Sequence, residues 1–238
     1  MVTVIVIHAK HLTERKRHME QQLKDWPGDV EYIEDYDRDE LTNEQLATWF
    51  QPGCELYNKS GATSCAMKHL LSCKYIIDHQ LEGALVLEDD IVLHDHFADD
   101  FGKSLHEYRH AYTGQPVIIS YEDSSLQFIP RSLRVKGQLL YEAPHERVRF
   151  NGALFISLEA AKAIWKEVSA NKCYIAIDHY YVHLYRKGLI QFLWCEPALA
   201  TQGSFSGAFV TSMGQKRSLE GLRWRLKYAY KRMLYWFR

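Results

Sequence analysis

Three consecutive carboxylates, Glu88-Asp89-Asp90, directly follow the apolar run 83–87. Such a run predicts a strand buried on both faces, and adjacent carboxylates at its end repel one another unless a cation or hydrogen bonds compensate. Side chains at positions 88 and 90 of an extended segment project to the same side. Carboxylate and phosphate oxygens are the ligands that Mg²⁺ and Mn²⁺ prefer. We therefore predict that Glu88 and Asp90 hold a divalent metal, with a solvated acidic turn as the alternative.

The elements that position these residues alternate along the chain. Apolar runs predict strands at 2–7, 30–33, 83–87, 117–120, 138–141, 151–157 and 190–194. Amphipathic spacing predicts helices at 13–24, 42–50, 64–79 (capped near Thr63 or Ser64), 158–168 and 178–186. The alternation predicts an α/β/α sandwich with a mostly parallel sheet, whose polar strand ends meet in a ligand-binding crevice.

The bulk composition is that of an ordinary globular chain of 238 residues, with 47% hydrophobic and 25% charged residues. No apolar run approaches the ~20 residues that span a bilayer. The apolar start, 2–7, lacks the basic segment and the cleavage site of a signal peptide, so we interpret it as a buried first strand. The five cysteines show no paired CxxC spacing. This fits reduced thiols in the cytoplasm and gives no support to a zinc site.

Several sequence blocks follow one another in a recognisable order. Gly61-Ala-Thr-Ser-Cys-Ala-Met-Lys-His69 precedes the run 84–90, which ends in Leu-Glu-Asp-Asp; later come 152–157, Asp178-His179, and Pro197 with Gln202. In this order the blocks resemble glycosyltransferase family 25, which includes bacterial lipopolysaccharide β-galactosyltransferases and animal collagen galactosyltransferases. The resemblance covers roughly residues 2–206. Within it, Lys68 stands where the family usually has serine.

The resemblance implies a GT-A-like fold, a nucleotide-diphosphate-sugar donor, a divalent metal (Mn²⁺ or Mg²⁺) and inversion at the anomeric carbon. It implies that Asp90, together with Glu88, holds the metal against the leaving diphosphate. Asp89 would bond the ribose or the sugar of the donor. Asp178 is the candidate base for the proton of the acceptor hydroxyl, with a helix N-cap as its alternative role. The expected donor is UDP-galactose, and the expected acceptor is the glycan of a lipopolysaccharide or lipooligosaccharide.

Six further residues are candidates for contact with donor or acceptor: His8, Arg15, Asp37, Lys68, Asn151 and Gln202. His8, Arg15, Asp37 and Lys68 each have an ordinary alternative role, which for Asp37 is that of a loop aspartate. His8 suits a plain strand-end histidine, Arg15 an exposed helical arginine, and Lys68 a solvent-facing lysine. Asp37 follows the second strand, where GT-A enzymes often bind uracil or ribose. His69 is predicted to be structural rather than a metal ligand.

The segment 216–238 differs in charge from the rest of the chain. It has eight basic residues against Glu220, a net charge of +7, which leaves −8 on the remainder of a chain with a total of −1. Apolar residues recur at helical spacing, and aromatic residues flank them: Leu219, Leu222, Leu226, Ala229, Met233 and Phe237, with Trp224, Tyr228, Tyr235 and Trp236. This pattern predicts a basic amphipathic helix on an anionic membrane surface. The alternatives are a helix folded onto the acidic body and a dimer contact, and nucleic acid is not expected.

Together these features predict a catalytic domain over 1–210 and a membrane-binding tail over 211–238, located in the cytoplasm at the inner face of the membrane. Two other functions are weighed against a sugar transferase. A phosphatase-like hydrolase with an acidic Mg²⁺ site would need a nucleophilic aspartate just after the first strand, and His8-Ala9-Lys10 offers none. A non-catalytic relative that binds a nucleotide sugar or a membrane is the second.

Overall fold

The computed structural model describes residues 1–147, 149–206, 209 and 220–237. In this part of the chain the strands are β1 (Thr3–Ile7), β2 (Val30–Ile33), β3 (Gly83–Glu88), β4 (Ile91–Leu93), β5 (Val117–Ser120), β6 (Leu140–Glu142), β7 (Ala153–Ser157), β8 (Gln191–Cys195) and β9 (Ala200–Gln202). The helices are α1 (Thr13–Leu23), α2 (Asn43–Trp49), α3 (Gly61–Asp78), α4 (Phe97–Ala111), α5 (Leu158–Asn171), α6 (Ile177–Arg186), α7 (Gly203–Ser206) and α8 (Glu220–Trp236).

Seven of these strands form one central sheet in the order β2-β1-β3-β7-β5-β8-β6. Five strands run in the same direction, while β7 and β6 run against their neighbours. Helices cover both faces. The predicted α/β sandwich with a mostly parallel sheet is therefore confirmed, and the antiparallel β7 at its centre is a feature that the sequence pattern did not show.

Burial on both faces explains the continuous apolar strands. In β1, Ile5 and Ile7 contribute to the core beneath α3, α5 and α6. Val4 and Val6, which alternate with them, contribute to the core beneath α1 and α4. Since successive side chains point to opposite faces, a strand with helices on both sides needs an apolar residue at every position.

Two helices differ from the sequence-based expectation. α3 begins at Gly61, and its N-cap is Ser60, whose hydroxyl accepts a hydrogen bond from Thr63 N, so the cap predicted near Thr63 or Ser64 is wrong. α4 is absent from the predicted elements, which include no helix or strand between residues 91 and 116. Its buried side chains nevertheless recur at steps of three and four residues: Phe97, Phe101, Leu105 and Tyr108.

A short second sheet brings a distant segment to the end of β3. β4 pairs antiparallel with β9, so that Ile91 lies opposite Gln202. Beside it, the backbone N–H of Glu88 donates to the carbonyl of Gly152 at 2.8 Å. These pairings fix residues 88–91, 152 and 202 against one another and create the frame of the site described below.

α8 packs on the body through its aromatic side chains. Trp224, Tyr228 and Tyr235 contact Leu126 and Phe128. The prediction that these aromatics lie at a membrane interface is wrong for these three, because their rings are covered by the body and their polar atoms bond to it. The division into 1–210 and 211–238 stays a prediction.

The opposite face of α8 is exposed. Leu226, Met233 and Phe237, three members of the predicted apolar stripe, are 65%, 51% and 81% exposed. Residues 211–219 and 238 of the predicted tail lie outside the described residues, as do the side chains of Glu220, Leu222, Arg225 and Trp236. No helix among the described residues is long and apolar enough to cross a bilayer.

Candidate active site

A cavity of about 600 Å³ opens where β1 and β3 end, beside the N-terminus of α3 and the loop after β2. Six of the candidate residues line it: His8, Arg15, Asp37, Lys68, Glu88 and Asp89. Asp90, Asn151, Asp178 and Gln202 lie outside its lining, behind Glu88. Lys59 and Arg38, which were not among the sequence-based candidates, also line the cavity, and Arg38 pairs there with Asp39 at 3.3 Å.

Asp89 lies at the centre of a buried charge cluster. Its Oδ2 is 2.9 Å from His8 Nδ1, and its Oδ1 accepts a hydrogen bond from Arg15 Nη1 at 2.7 Å. Burial favours the protonated carboxyl, but the hydrogen bond with His8 and the charge of Arg15 outweigh it and lower the pKa of Asp89. Arg15 is only 8% exposed, so its interpretation as an exposed helical arginine is wrong. Asp89 is therefore an ionised carboxylate that holds Arg15 and His8 at the cavity wall.

Lys68 is also buried, at 1% exposure, which overturns its interpretation as a solvent-facing lysine. Its ammonium donates to Asp37 Oδ1 at 2.5 Å and to the backbone carbonyls of His8 and Glu34. An ammonium has three protons, and these three acceptors can use all of them. Asp37 accepts a further hydrogen bond from Lys10 N at 3.0 Å. Lys68 thus holds the Asp37 loop against the end of β1.

Glu88 reaches from the end of β3 toward α3 and β9. Its Oε1 is 3.5 Å from Cys65 Sγ and 3.4 Å from His69 Nε2, and its Oε2 accepts a hydrogen bond from Gln202 Nε2 at 3.1 Å. Burial, followed by the charge of Glu88, raises the pKa of the Cys65 thiol well above its usual value. Glu88 therefore links the end of β3 to both α3 and β9.

Asp90 provides the second predicted metal ligand. It is buried; its Oδ2 accepts a hydrogen bond from Ser204 N at 3.3 Å, and its Oδ1 has no hydrogen-bond partner among the described residues. Burial, followed by repulsion from Glu88, raises the pKa of Asp90 to about 6. A buried carboxylate oxygen without a partner, beside a second carboxylate, is a donor set that fits Mg²⁺ or Mn²⁺.

Asp178, the candidate base, is the second residue of α6. The N-cap of that helix is Ala176, and no side chain caps it, so the N-cap alternative for Asp178 is wrong. Its Oδ1 accepts a hydrogen bond from Asn151 N at 3.1 Å. Burial, followed by the charge of Glu88, raises the pKa of Asp178 to about 7. The side chain of Asn151 is buried, and neither of its polar atoms has a hydrogen-bond partner among the described residues.

Glu122 is a further carboxylate of the site that was not among the sequence-based candidates. It is fully buried, and its Oε2 accepts a hydrogen bond from Gly152 N at 2.9 Å. Burial, followed by the charges of Glu88 and Asp178, raises the pKa of Glu122 well above its usual value. A signal was present, because Glu122-Asp123 comes just after the apolar strand β5, much as Glu88-Asp89-Asp90 follows the apolar run of β3.

The sequence of this chain matches the model of one protein family, glycosyltransferase family 25 (LPS biosynthesis protein), over residues 1–179. The matched region is three quarters of the chain and includes every candidate site residue except Gln202. The chain therefore belongs to glycosyltransferase family 25, which confirms the resemblance drawn from the sequence blocks. No individual curated protein matches the sequence.

Two solved structures show distant similarity to the chain. A glycosyltransferase involved in the glycosylation of the major capsid of PBCV-1 is 13% identical, with 94% of this chain and 98% of that chain covered and a TM-score of 0.46. The apo form of mouse xyloside xylosyltransferase 1 is 13% identical, with 80% and 70% covered and a TM-score of 0.40. At this distance neither similarity bears on the substrates of this chain.

Proposed function

We propose that this chain is an inverting, metal-dependent glycosyltransferase that moves a hexose, galactose in the first instance, from a UDP-sugar to a lipopolysaccharide-type glycan. The observation that carries the proposal is the placement of Glu88 in a cavity that Arg15, Lys59 and Lys68 also line, with Asp90 and Asp178 beyond the lining, where burial and then the charge of Glu88 raise the pKa of both carboxyl groups. Membership of family 25, described as LPS biosynthesis proteins, supports the choice of acceptor class.

The opposite end of the cavity suits a diphosphate. The first turn of α3 lines it with Gly61 and Ser64, and the N-terminus of an 18-residue helix favours an anion through its free N–H groups and its dipole. Lys59, two residues before the start of α3, adds positive charge at the same wall. Asp37, held by Lys68, is a carboxylate acceptor for the hydroxyl or imide hydrogens of a nucleoside.

The metal is assigned to Glu88 and Asp90. Bound there, Mn²⁺ or Mg²⁺ would supply Lewis-acid stabilisation of the leaving diphosphate. In this arrangement Gln202 orients Glu88 through the hydrogen bond to its Oε2, while Ser204 N orients Asp90 through its Oδ2. Asp89, bonded to His8 and Arg15, keeps the guanidinium at the cavity wall where a phosphate would lie.

Asp178 is the proposed base. It accepts the proton of the acceptor hydroxyl while the acceptor oxygen bonds to the anomeric carbon and the bond to the diphosphate oxygen breaks. A pKa of about 7 suits this role, because the carboxylate is then ionised in a large part of the molecules at neutral pH and still basic enough to take the proton.

The exposed face of α8 supports peripheral attachment to an anionic membrane. Leu226, Tyr230, Met233 and Phe237 form an apolar strip on the side of the helix away from the body, and the exposed Lys227 lies close to that strip. A strip of this kind inserts between headgroups, while basic side chains attract anionic lipid at about 1 kcal/mol each. Such attachment would bring the cavity to an acceptor carried on a lipid.

Nucleotide release tests the proposal. Purified chain is incubated with Mn²⁺, a lipooligosaccharide acceptor and a series of UDP-hexoses, and free UDP is measured. We expect acceptor-dependent release that falls by orders of magnitude in Asp90→Asn, which keeps the shape of the side chain but removes its charge. Asp95→Asn, an exposed aspartate in the loop after β4, is the matched control and should keep normal turnover. Donor binding without release from any UDP-hexose would favour a non-catalytic sugar-binding protein.

A further inference from the structure

Cys65, His69 and Glu88 bring three different metal-binding atoms together at the end of β3. Cys65 and His69 are four residues apart on α3 and therefore lie on one face of the helix, and Glu88 approaches that face from the strand. Sγ of Cys65, a ring nitrogen of His69 and a carboxylate oxygen of Glu88 all lie within 4.8 Å of one another. Cys65 and Glu88 also line the cavity, which gives an ion a route to the cluster from solvent.

Two separations within the cluster are close to the edge lengths of a tetrahedral metal site. Nε2 and Oε1 of His69 and Glu88 are 3.4 Å apart, whereas an N–H···O hydrogen bond has its optimum near 2.9 Å. With Zn–S of 2.3 Å and Zn–N and Zn–O near 2.0 Å, the S···O and N···O edges of a tetrahedral site are about 3.5 and about 3.3 Å. The observed edges are 3.5 Å for Sγ to Oε1 and 3.4 Å for Nε2 to Oε1.

We propose that Cys65, His69 and Glu88 form a three-ligand site for a thiophilic divalent ion such as Zn²⁺, distinct from the all-oxygen site of Glu88 and Asp90. The thiolate and imidazole ligands select zinc-like ions over Mg²⁺. Binding releases the thiol proton of Cys65 to solvent and leaves the fourth tetrahedral position for water or a substrate oxygen. The full burial of His69 and its edge-to-face contact with Tyr181 hold the imidazole in place.

Glu88 is common to the two sites, and this sharing has a consequence for regulation. A Zn²⁺ ion on the cysteine site withdraws Glu88 from the ion that accompanies the nucleotide sugar. Zinc should therefore inhibit transfer, in competition with Mn²⁺. This consequence rests on the proposed function, whereas the existence of the site does not.

Cobalt titration of the full chain tests the site directly, since Co²⁺ replaces Zn²⁺ and reports its ligands by absorption. We expect one equivalent of Co²⁺ to give a thiolate-to-metal charge-transfer band and the intense visible bands of tetrahedral cobalt, both of which Zn²⁺ abolishes. Cys65→Ser should lose the charge-transfer band and weaken Zn²⁺ binding at least about 100-fold, the upper end of what loss of an outer-shell partner costs. Cys54→Ser, a half-buried thiol outside the cluster, is the matched control and should behave as wild type.

His69→Gln, checked by circular dichroism, provides a second variant in case Cys65→Ser perturbs folding. A charge-transfer band that survives in folded Cys65→Ser, or no band in the wild-type chain at saturating Co²⁺, would overturn the site. Binding of a UDP-sugar with Mn²⁺ is measured on the same samples. If UDP-sugar binding persists and no cobalt band forms, the cysteine site is wrong and the proposed function stands. If the cobalt band forms and UDP-sugar does not bind, the proposed function is wrong and the cysteine site stands.

Discussion

The hydroxyl of Tyr228 donates a hydrogen bond to Asp123 Oδ2 at 2.7 Å. The other oxygen of the same carboxylate accepts a hydrogen bond from Thr201 Oγ1 at 2.6 Å. Thr201 lies in β9, next to Gln202, whose amide holds Glu88. A hydrogen-bonded connection thus runs from the C-terminal helix to the strand that positions the metal-binding carboxylate.

Tyr228→Phe should weaken this connection. The substitution removes the donor and leaves Asp123 Oδ2 without its tyrosine partner in a partly buried position, at a cost of about 1–2 kcal/mol in the free energy of unfolding. Urea unfolding of wild type and variant measures the loss. Tyr230→Phe is the matched control, because Tyr230 is 56% exposed on the opposite face of the same helix and should leave the midpoint unchanged. Equal midpoints for Tyr228→Phe and wild type would contradict the role of the bond.

The outer face of α8 should carry the membrane affinity. Introducing Leu226→Glu together with Met233→Glu places two charges in the apolar strip, so co-sedimentation with anionic vesicles at low salt should fall at least tenfold without loss of the folded core. Leu133→Glu with Val135→Glu is the control, since both residues are exposed apolar positions on another part of the surface. Binding of wild type should weaken as salt rises, because the Debye length shortens to ~8 Å at 0.15 M. Salt-insensitive binding, or equal losses in both double variants, would argue against an electrostatically assisted anchor.

Transfer should increase with pH through the neutral range. A base acts only when ionised, and the pKa of Asp178 is raised to about 7, so kcat/KM should rise as pH increases from about 6 to about 8 and then level off. Asp178→Asn should reduce kcat severely while nucleotide-sugar binding persists, since the donor cavity does not include this residue. The measurement is a pH–rate profile with calorimetric donor binding at each pH. If the residual activity of Asp178→Asn shows the same loss of rate at low pH as wild type, the ionisation that controls the rate belongs to another group.

Gly152 occupies a position where a side chain has no room. A Cβ atom there would lie 2.5 Å from Glu122 Oε2 and 2.6 Å from Ile91 Cδ1. Gly152→Ala should therefore displace Glu122 and the end of β4, with a loss of about 1–3 kcal/mol in unfolding free energy and lower metal affinity. Gly102→Ala, in α4, meets no atom within 4 Å and should stabilise the chain slightly. Thermal unfolding with and without Mn²⁺ distinguishes the two variants, and a Gly152→Ala chain as stable as wild type would refute the tight packing.

The sequence alone predicts those features that local pattern determines. β1 and β3 are recognisable because burial on both faces requires an unbroken apolar run, and Glu88-Asp89-Asp90 stands out because polar groups follow such a run at once. The amphipathic character of 216–238 is visible because its apolar residues recur at helical spacing. Local pattern also carries a signal for α4, because Phe97, Phe101, Leu105 and Tyr108 recur at steps of three and four residues.

Contacts between distant segments could not be predicted in this way. Arg15 and Lys68 are charged residues on helices, so the sequence alone suggests that both are exposed. Both are buried, because each forms an ion pair with a carboxylate from another segment, Asp89 and Asp37 respectively. The absence of paired CxxC spacing bears only on sites built from cysteine pairs, and it does not show that Glu88, 23 residues from Cys65, lies beside Cys65 and His69. The burial of the aromatic face of α8 also depends on tertiary packing, since Leu126 and Phe128 cover it.

The pairing of β1 with both β2 and β3 has a consequence for biosynthesis. The bond between His8 and Asp89 joins residues 81 positions apart, so a growing chain makes the first strand long before the partner on its other edge exists. At ordinary rates of translation the delay is on the order of several seconds. During that time the edge of β1 that will pair with β3 has unpaired backbone groups on an apolar strand. A chaperone at the ribosome can bind this edge, and premature association would begin there.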